Sequence, residues 1–158
     1  RGSDAVRNLE LRVPPLALCA AIAAAMVALA HFVPAASKPF PGHRALGVVC
    51  LLAGIALVVA GIFEFRRGRT TVNPLSPGLA TAVVASGVYR LTRNPMYLGM
   101  ALILAAVAAW GASPAGILLV PAFCGYLTRF QIEPEERALR ATFGAEFERY
   151  MAGVRRWI

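Results

Sequence analysis

Long uncharged runs alternate with short polar connections along this chain. Residues 14–33 contain no Asp, Glu, Lys or Arg, and residues 45–63 form a second such run, closed by Glu64 and the basic group Arg66, Arg67 and Arg69. Both runs match the ~20 residues that ~30 Å of hydrocarbon requires at ~1.5 Å per helical residue. A charge at the bilayer centre costs ~3 kcal/mol, so charged residues mark where each span ends. Residues 96–128 are also uncharged, but as one straight helix they would reach roughly 50 Å, too far for one crossing. Gly111-Ala112-Ser113-Pro114 is the place to turn, since Gly and Pro punctuate helices and Pro suits the first position of the next. The result is a hairpin with two short arms, and Pro121 is expected to kink the second.

Beyond residue 128 the pattern changes. Ala138, Leu139, Phe143, Phe147, Tyr150 and Met151 recur at spacings of three and four, with Arg137, Arg140, Glu146, Glu148 and Arg149 between them. That periodicity predicts one amphipathic helix lying on the membrane surface and lidding the hairpin. Trp157, beside Arg155 and Arg156, fits an interfacial anchor. The expected fold is therefore an all-α integral membrane protein forming a single domain over residues 1–158. It has about four transmembrane helices, the last two a short hairpin, and a C-terminal amphipathic cytoplasmic helix. Arg1-Gly2-Ser3 reads as an appended remnant and is set aside. The first run is longer than the ~7–15 apolar residues of a signal peptide, so it is read as a span.

Composition agrees with this class: 58% of the 158 residues are hydrophobic and the mean hydropathy is +0.63. The net charge is +8, almost all of it Arg, with Lys38 the single lysine. These cations stand in connections and in the tail, where positive-inside bias and anionic headgroups put them, so nucleic-acid binding is not indicated. The turn near Ser113 has none. This asymmetry orients both ends, the long middle connection and any active site toward the cytoplasm, in a bacterial inner membrane. Cys19, Cys50 and Cys124 lie within apolar runs and form no Cys-x-x-Cys pair, while His31 and His43 have no ligand-spaced partner. Neither a disulfide framework nor a metal site is expected. A dinucleotide-type glycine loop is missing as well.

Two polar clusters stand out. Gly87-Val88-Tyr89-Arg90-Leu91-Thr92-Arg93-Asn94-Pro95-Met96-Tyr97-Leu98-Gly99 runs straight into the hairpin, and Glu135-Glu136 follows it. Because they bracket a hairpin, they lie at one membrane face and can meet. Arg93 can grip a carboxylate or phosphate. Asn94 donates and accepts, and Pro95 biases it away from helix. Tyr89 and Tyr97 offer flat faces with polar tips, and Gly99 permits close helix approach. Glu135 and Glu136 can receive an ammonium or a ribose hydroxyl. Each residue also has a plainer reading: Arg93 a flanking charge, Asn94-Pro95 a helix start, the tyrosines an interface belt, and the acids a helix cap after Pro134. Taken together, they match a zwitterionic, nucleoside-containing ligand.

The joint pattern of Thr81 to Tyr89, Arg93 to Gly99, and Glu135-Glu136 with Leu139, Phe143-Gly144, Phe147, Tyr150 and Val154 resembles the isoprenylcysteine carboxyl methyltransferase family and the related phospholipid methyltransferases. The likeness covers about residues 70–157. It implies an integral membrane enzyme with S-adenosylmethionine as donor and S-adenosylhomocysteine as product. Carried over by position, Thr81, Ala82, Val83, Val84, Tyr89, Arg93, Asn94, Pro95, Met96, Tyr97 and Glu135 would meet the cofactor. Arg129 and Glu136 would serve catalysis, and Arg129 with Gln131 would orient the acceptor. Asn94 stands where eukaryotic members usually have His, and Gln131 where the family has an acceptor-orienting Arg. The implied acceptor is a lipophile entering from the bilayer, such as the carboxylate of an isoprenylcysteine-like molecule. Alternatives are a lipid amine or thiol. Other classes are a small transport or scaffold protein, for which mid-membrane polar residues or repeats would be expected, and a membrane reductase.

Overall fold

The computed structural model describes residues 10–68 and 80–158, and among these it is helical with no strand. The helices are α1 Pro15–Phe32, α2 His43–Arg67, α3 Pro95–Trp110, α4 Pro114–Leu127, α5 Glu133–Phe143 and α6 Ala145–Gly153. A π turn, Thr128–Ile132, joins α4 to α5 without a break, so Pro114–Phe143 is one 30-residue rod. Pro15–Phe32, His43–Arg67 and this rod are long and apolar enough to cross a membrane, and Pro95–Trp110 is shorter. Arg69 and residues 70–79 of the family-like stretch lie outside the described residues.

Local chemistry sets the boundaries. Pro15, Pro95 and Pro114 each stand at the start of a helix, where the missing N–H is no loss and φ is already helical. Gly42, at φ +84°, admits the chain to α2. Arg66 and Arg67 end α2, where cations complement the helix dipole. The hairpin turns where expected: Ala112 takes φ +46° and Ser113 Oγ accepts the Gly116 N–H at 3.1 Å, capping α4. The first arm stays at 16 residues, whereas the second grows through the π turn into the polar flank.

α3 is the central helix. Its Tyr97, Gly99, Ala101, Leu104, Ala106, Ala108 and Ala109 are buried, and Leu104 meets Cys19 and Met26 of α1 and Phe123 and Leu127 of α4 in one core. α2 lies against its other side through a stripe of buried glycines two turns apart, Gly47, Gly54 and Gly61. At the crossing a Cβ on Gly54 would stand 2.7 Å from the Gly99 oxygen, and one on Gly99 2.6 Å from the Gly54 oxygen. The two backbones touch, as small residues allow in membranes. Outward-facing Leu16, Val27, Val49, Leu52, Val59, Phe63, Ile117 and Leu118 are exposed, an apolar belt suited to lipid.

The tail differs from the sequence expectation in one respect. The periodic residues form two amphipathic helices, not one. α5 continues the α4 rod, and the chain then breaks at Gly144, whose φ of +51° and ψ of −123° suit a residue without a Cβ. α6 folds back, burying Phe147. Trp157 is half-buried: its indole N–H donates to Thr128 Oγ1 at 3.1 Å, and its ring packs beside the core.

Candidate active site

One end of the bundle opens into a cavity of about 470 Å³, within the size range of small-molecule sites. The start of α1 (Pro14, Pro15, Leu16), the end of α2 (Ile62, Phe65), the start of α3 (Met96, Tyr97, Met100) and α5 with α6 (Leu139, Phe147, Tyr150) supply its walls. The connection into α3 adds Ala82, Val83, Val84, Tyr89, Arg93 and Asn94, and α5 adds Glu135 and Glu136. Both polar clusters therefore face one space, with apolar walls around them.

The connection is held from three directions. Ser86 Oγ donates to the Glu64 carboxylate at the end of α2. Phe65 meets Tyr89 edge to face, with centroids 5.3 Å apart. Tyr150 Oη donates to the Tyr89 carbonyl at 2.8 Å. Gly87 has φ +54°, and a Cβ there would press on the Glu64 side chain, so glycine suits that corner.

Glu135 lies beyond the apolar part of the rod, in the charged first turn of α5. The Tyr97 hydroxyl and the Gln131 amide both donate to its Oε1 at 2.5 Å. Both bonds fall on the same oxygen of the carboxylate. Burial pushes the Glu135 carboxyl up to about 7, while the bonds from Gln131 and Tyr97 favour the charged form and Glu136 works against it. Glu136, buried, is engaged at both oxygens: Oε2 by Arg156 at 2.7 Å, and Oε1 by Arg156 Nε at 3.2 Å and Arg93 at 3.4 Å. Two donors on the same side are left over. The Tyr89 hydroxyl and Arg93 Nε are buried without a hydrogen-bond partner, and a ligand group that accepts from them would offset the cost of burying them. Burial raises the Tyr89 phenol, as do Tyr150, Glu135 and Glu64 nearby, so the hydroxyl keeps its proton to donate. Tyr150 is raised by burial too, against the opposing pull of Arg93.

Of the residues expected from sequence, Ala82, Val83, Val84, Tyr89, Arg93, Asn94, Met96, Tyr97, Glu135 and Glu136 line this cavity. Thr81 is exposed beside it, and Pro95 is buried at the start of α3. Gln131 is buried behind Glu135 and orients it. Arg129 is elsewhere: it is exposed and pairs with Glu10 at 3.2 Å and Glu133 at 3.3 Å. Among the described residues no cluster of His, Cys, Asp or Glu could hold a metal. Sequence reasoning missed the walls at Pro14–Leu16, Ile62 and Phe65, which are generic apolar residues far away in sequence. It also missed Arg156, whose proximity to Trp157 suggested a lipid anchor. Leu139, Phe147 and Tyr150 carried a readable signal in their helical spacing, but their role as walls needs the break at Gly144.

Comparison with known proteins fits this geometry. A family model described as phospholipid methyltransferase matches residues 43–146, which run from the start of α2 into α6. An uncharacterized protein of Haemophilus influenzae is 41% identical over 63 residues, 40% of this chain and all of that protein. No solved structure matches the chain. The match over most of the chain shows that it belongs to the phospholipid methyltransferase family, as a membrane protein with a cavity at one end of its helical bundle.

Proposed function

We propose that this family member binds S-adenosylmethionine in the cavity and transfers its methyl group to a lipophilic acceptor drawn from the bilayer. One observation carries the reading: the cavity's polar groups are sorted by charge preference. The Glu135 carboxylate, on the cavity wall, suits an ammonium. Arg93 Nε and the Tyr89 hydroxyl, both buried without a partner, suit a carboxylate. A zwitterionic amino-acid group meets both needs, and Phe65, Phe147 and Tyr150 offer aromatic surface to a nucleoside. When bound, the cofactor supplies a methyl group activated by a sulfonium.

The chain's own residues then have positional tasks. Tyr97 and Gln131 fix the Glu135 carboxylate, and Glu136 fixes Arg93. The apolar walls exclude water, and holding both reactants in line supplies most of the rate enhancement in such a displacement. The cavity walls supplied by the start of α1 and the end of α2 are apolar, as sideways entry of a lipophile would require. A carboxylate acceptor, as in an isoprenylcysteine-like molecule, needs no base. A second reading, between which and the first the family match does not choose, is a phospholipid amine. Its proton would have to leave, and neither acid on the wall is spare to take it: Glu135 receives the donor's ammonium and both Glu136 oxygens are engaged. Orientation toward the cytoplasm rests on the positive-inside bias.

Calorimetry of the detergent-solubilised chain with S-adenosylhomocysteine tests the donor site. Glu135→Gln and Tyr97→Ala are each expected to weaken binding by about tenfold or more. Unchanged affinity in both variants would rule the assignment out. Incubation with methyl-labelled S-adenosylmethionine and a total lipid extract, followed by identification of the labelled product, names the acceptor class.

A further inference from the structure

The segment after α6, residues 154–157, lies outside the family match and reads in the sequence as a lipid anchor. In the structure it crosses back over the entrance to α3. The Arg93 N–H donates to the Arg155 carbonyl at 2.9 Å, and Thr92 Oγ1 and Asn94 Nδ2 donate to the Arg156 carbonyl at 3.2 and 2.9 Å. The Arg156 guanidinium forks onto Glu136, Nε to one oxygen and a terminal nitrogen to the other. Trp157 fastens the far end to Thr128, at the start of the π turn. One short strap thus grips both clusters, residues 92–94 through backbone carbonyls and the acidic pair through a side chain.

We infer that this strap is a positioning device for the donor site, setting the distance between Arg93 and the Glu135-Glu136 pair and so controlling cofactor affinity. The inference rests on the donor reading above. The physical reason is the chemistry of residues 92–94. Asn94 begins α3 without a side-chain cap, and its amide nitrogen donates to the Arg156 carbonyl instead. Arg93 meets Glu136 at 3.4 Å, looser than the 2.7 Å contact of Arg156, so its head is the less firmly held of the two. Without Arg156, Glu136 would have Arg93 as its main cationic partner. The guanidinium would then be drawn toward Glu136, away from the place where its Nε faces a ligand. Arg156 acts as the second cation that lets Arg93 serve the cavity. It touches no reacting group and is not catalytic.

The experiment compares the full chain with Arg156→Lys, Arg156→Gln and Trp157→Phe, in detergent. Calorimetry with S-adenosylhomocysteine is read beside the melting temperature of the ligand-free protein. Arg156→Gln is expected to weaken binding by about tenfold or more, because charge-assisted bonds to Glu136 are lost. Arg156→Lys keeps the charge but not the fork, and is expected to recover part of the affinity at a similar melting temperature. Should Arg156→Gln not fold, Trp157→Phe carries the test, since it deletes one N–H bond and keeps the ring; about threefold weaker binding is expected. Wild-type affinity in both Arg156→Gln and Trp157→Phe would overturn the inference while leaving the donor reading intact. So would Lys and Gln variants that lose affinity equally and only in step with melting temperature. Absence of binding to the wild-type chain would overturn the donor reading and this inference together.

Discussion

Gly54→Ala adds one methyl group where two helices have no room for it. The new carbon would stand 2.7 Å from the Gly99 carbonyl oxygen, 2.9 Å from Ile103 Cγ1 and 3.1 Å from the Ile103 nitrogen. The first and third are backbone atoms and cannot swing aside, so α2 and α3 must separate by about 0.7 Å to restore ordinary contact at the oxygen. Overpacking of this kind costs ~1–3 kcal/mol, against up to ~1 kcal/mol gained from the better helix propensity of Ala. A net loss of ~1–2 kcal/mol is expected. Gly99 is two residues from Tyr97, so the shift also reaches the hydroxyl that orients Glu135. The matched control is Gly125→Ala on α4, where an added Cβ meets nothing within 4 Å; it is expected to be neutral or slightly stabilising. Thermal unfolding of both variants in the same detergent, with S-adenosylhomocysteine calorimetry alongside, makes the comparison. If Gly54→Ala unfolds no earlier than Gly125→Ala, the close crossing described for α2 and α3 is wrong.

Other outcomes can be stated briefly. Glu135 sits near 7 in the free protein, and a cationic ligand favours its ionised form. S-adenosylhomocysteine affinity should therefore be full above pH 7 and fall by up to about tenfold per unit below it, as protonation must be reversed on binding; a flat calorimetric profile from pH 5.5 to 8 would exclude the role. Tyr97→Phe deletes a bond that favours the carboxylate, so the midpoint of the same profile should move to higher pH. Ser113→Ala removes the cap of α4 and should cost ~1 kcal/mol in unfolding without altering ligand affinity. Arg129→Gln breaks exposed pairs to Glu10 and Glu133, and should cost ~0–1 kcal/mol with ligand affinity changed by less than about threefold. A tenfold loss there would bring Arg129 back to the cavity.

Hydropathy and proline placement made the helices legible before any coordinates. Uncharged runs ending at Glu64 and at Asn94-Pro95, and a turn at Gly111 to Pro114, correspond to helix limits within a few residues. The convergence of Tyr89, Arg93 and Glu135 on one space was legible too, because a hairpin returns the chain to the face it left. What escaped was set by single-residue geometry. The π turn follows from no pattern in Thr128–Ile132, and the break at Gly144 depends on a φ that many glycines never adopt. Arg129 and Arg156 look alike as tail cations, yet Arg129 faces Glu10 outside the cavity and Arg156 faces Glu136 on its rim. Gln131 carried a motif signal, but only the turn shows that it stands behind Glu135.

The π turn between α4 and α5 has a consequence for how the acidic pair is aimed. A wide turn holds one residue more than an α-helix would, and each residue advances a helix by about 100° and ~1.5 Å. Were the same five residues, Thr128 to Ile132, wound as ordinary α-helix instead, the rod would run on with its apolar span unchanged. Everything downstream would then be turned through roughly a quarter of a circle. Tyr97 would look at a different side of α5, and the carboxylates would point past the chamber they now serve. The bundle could still stand in a bilayer, but with its polar furniture facing the wrong way.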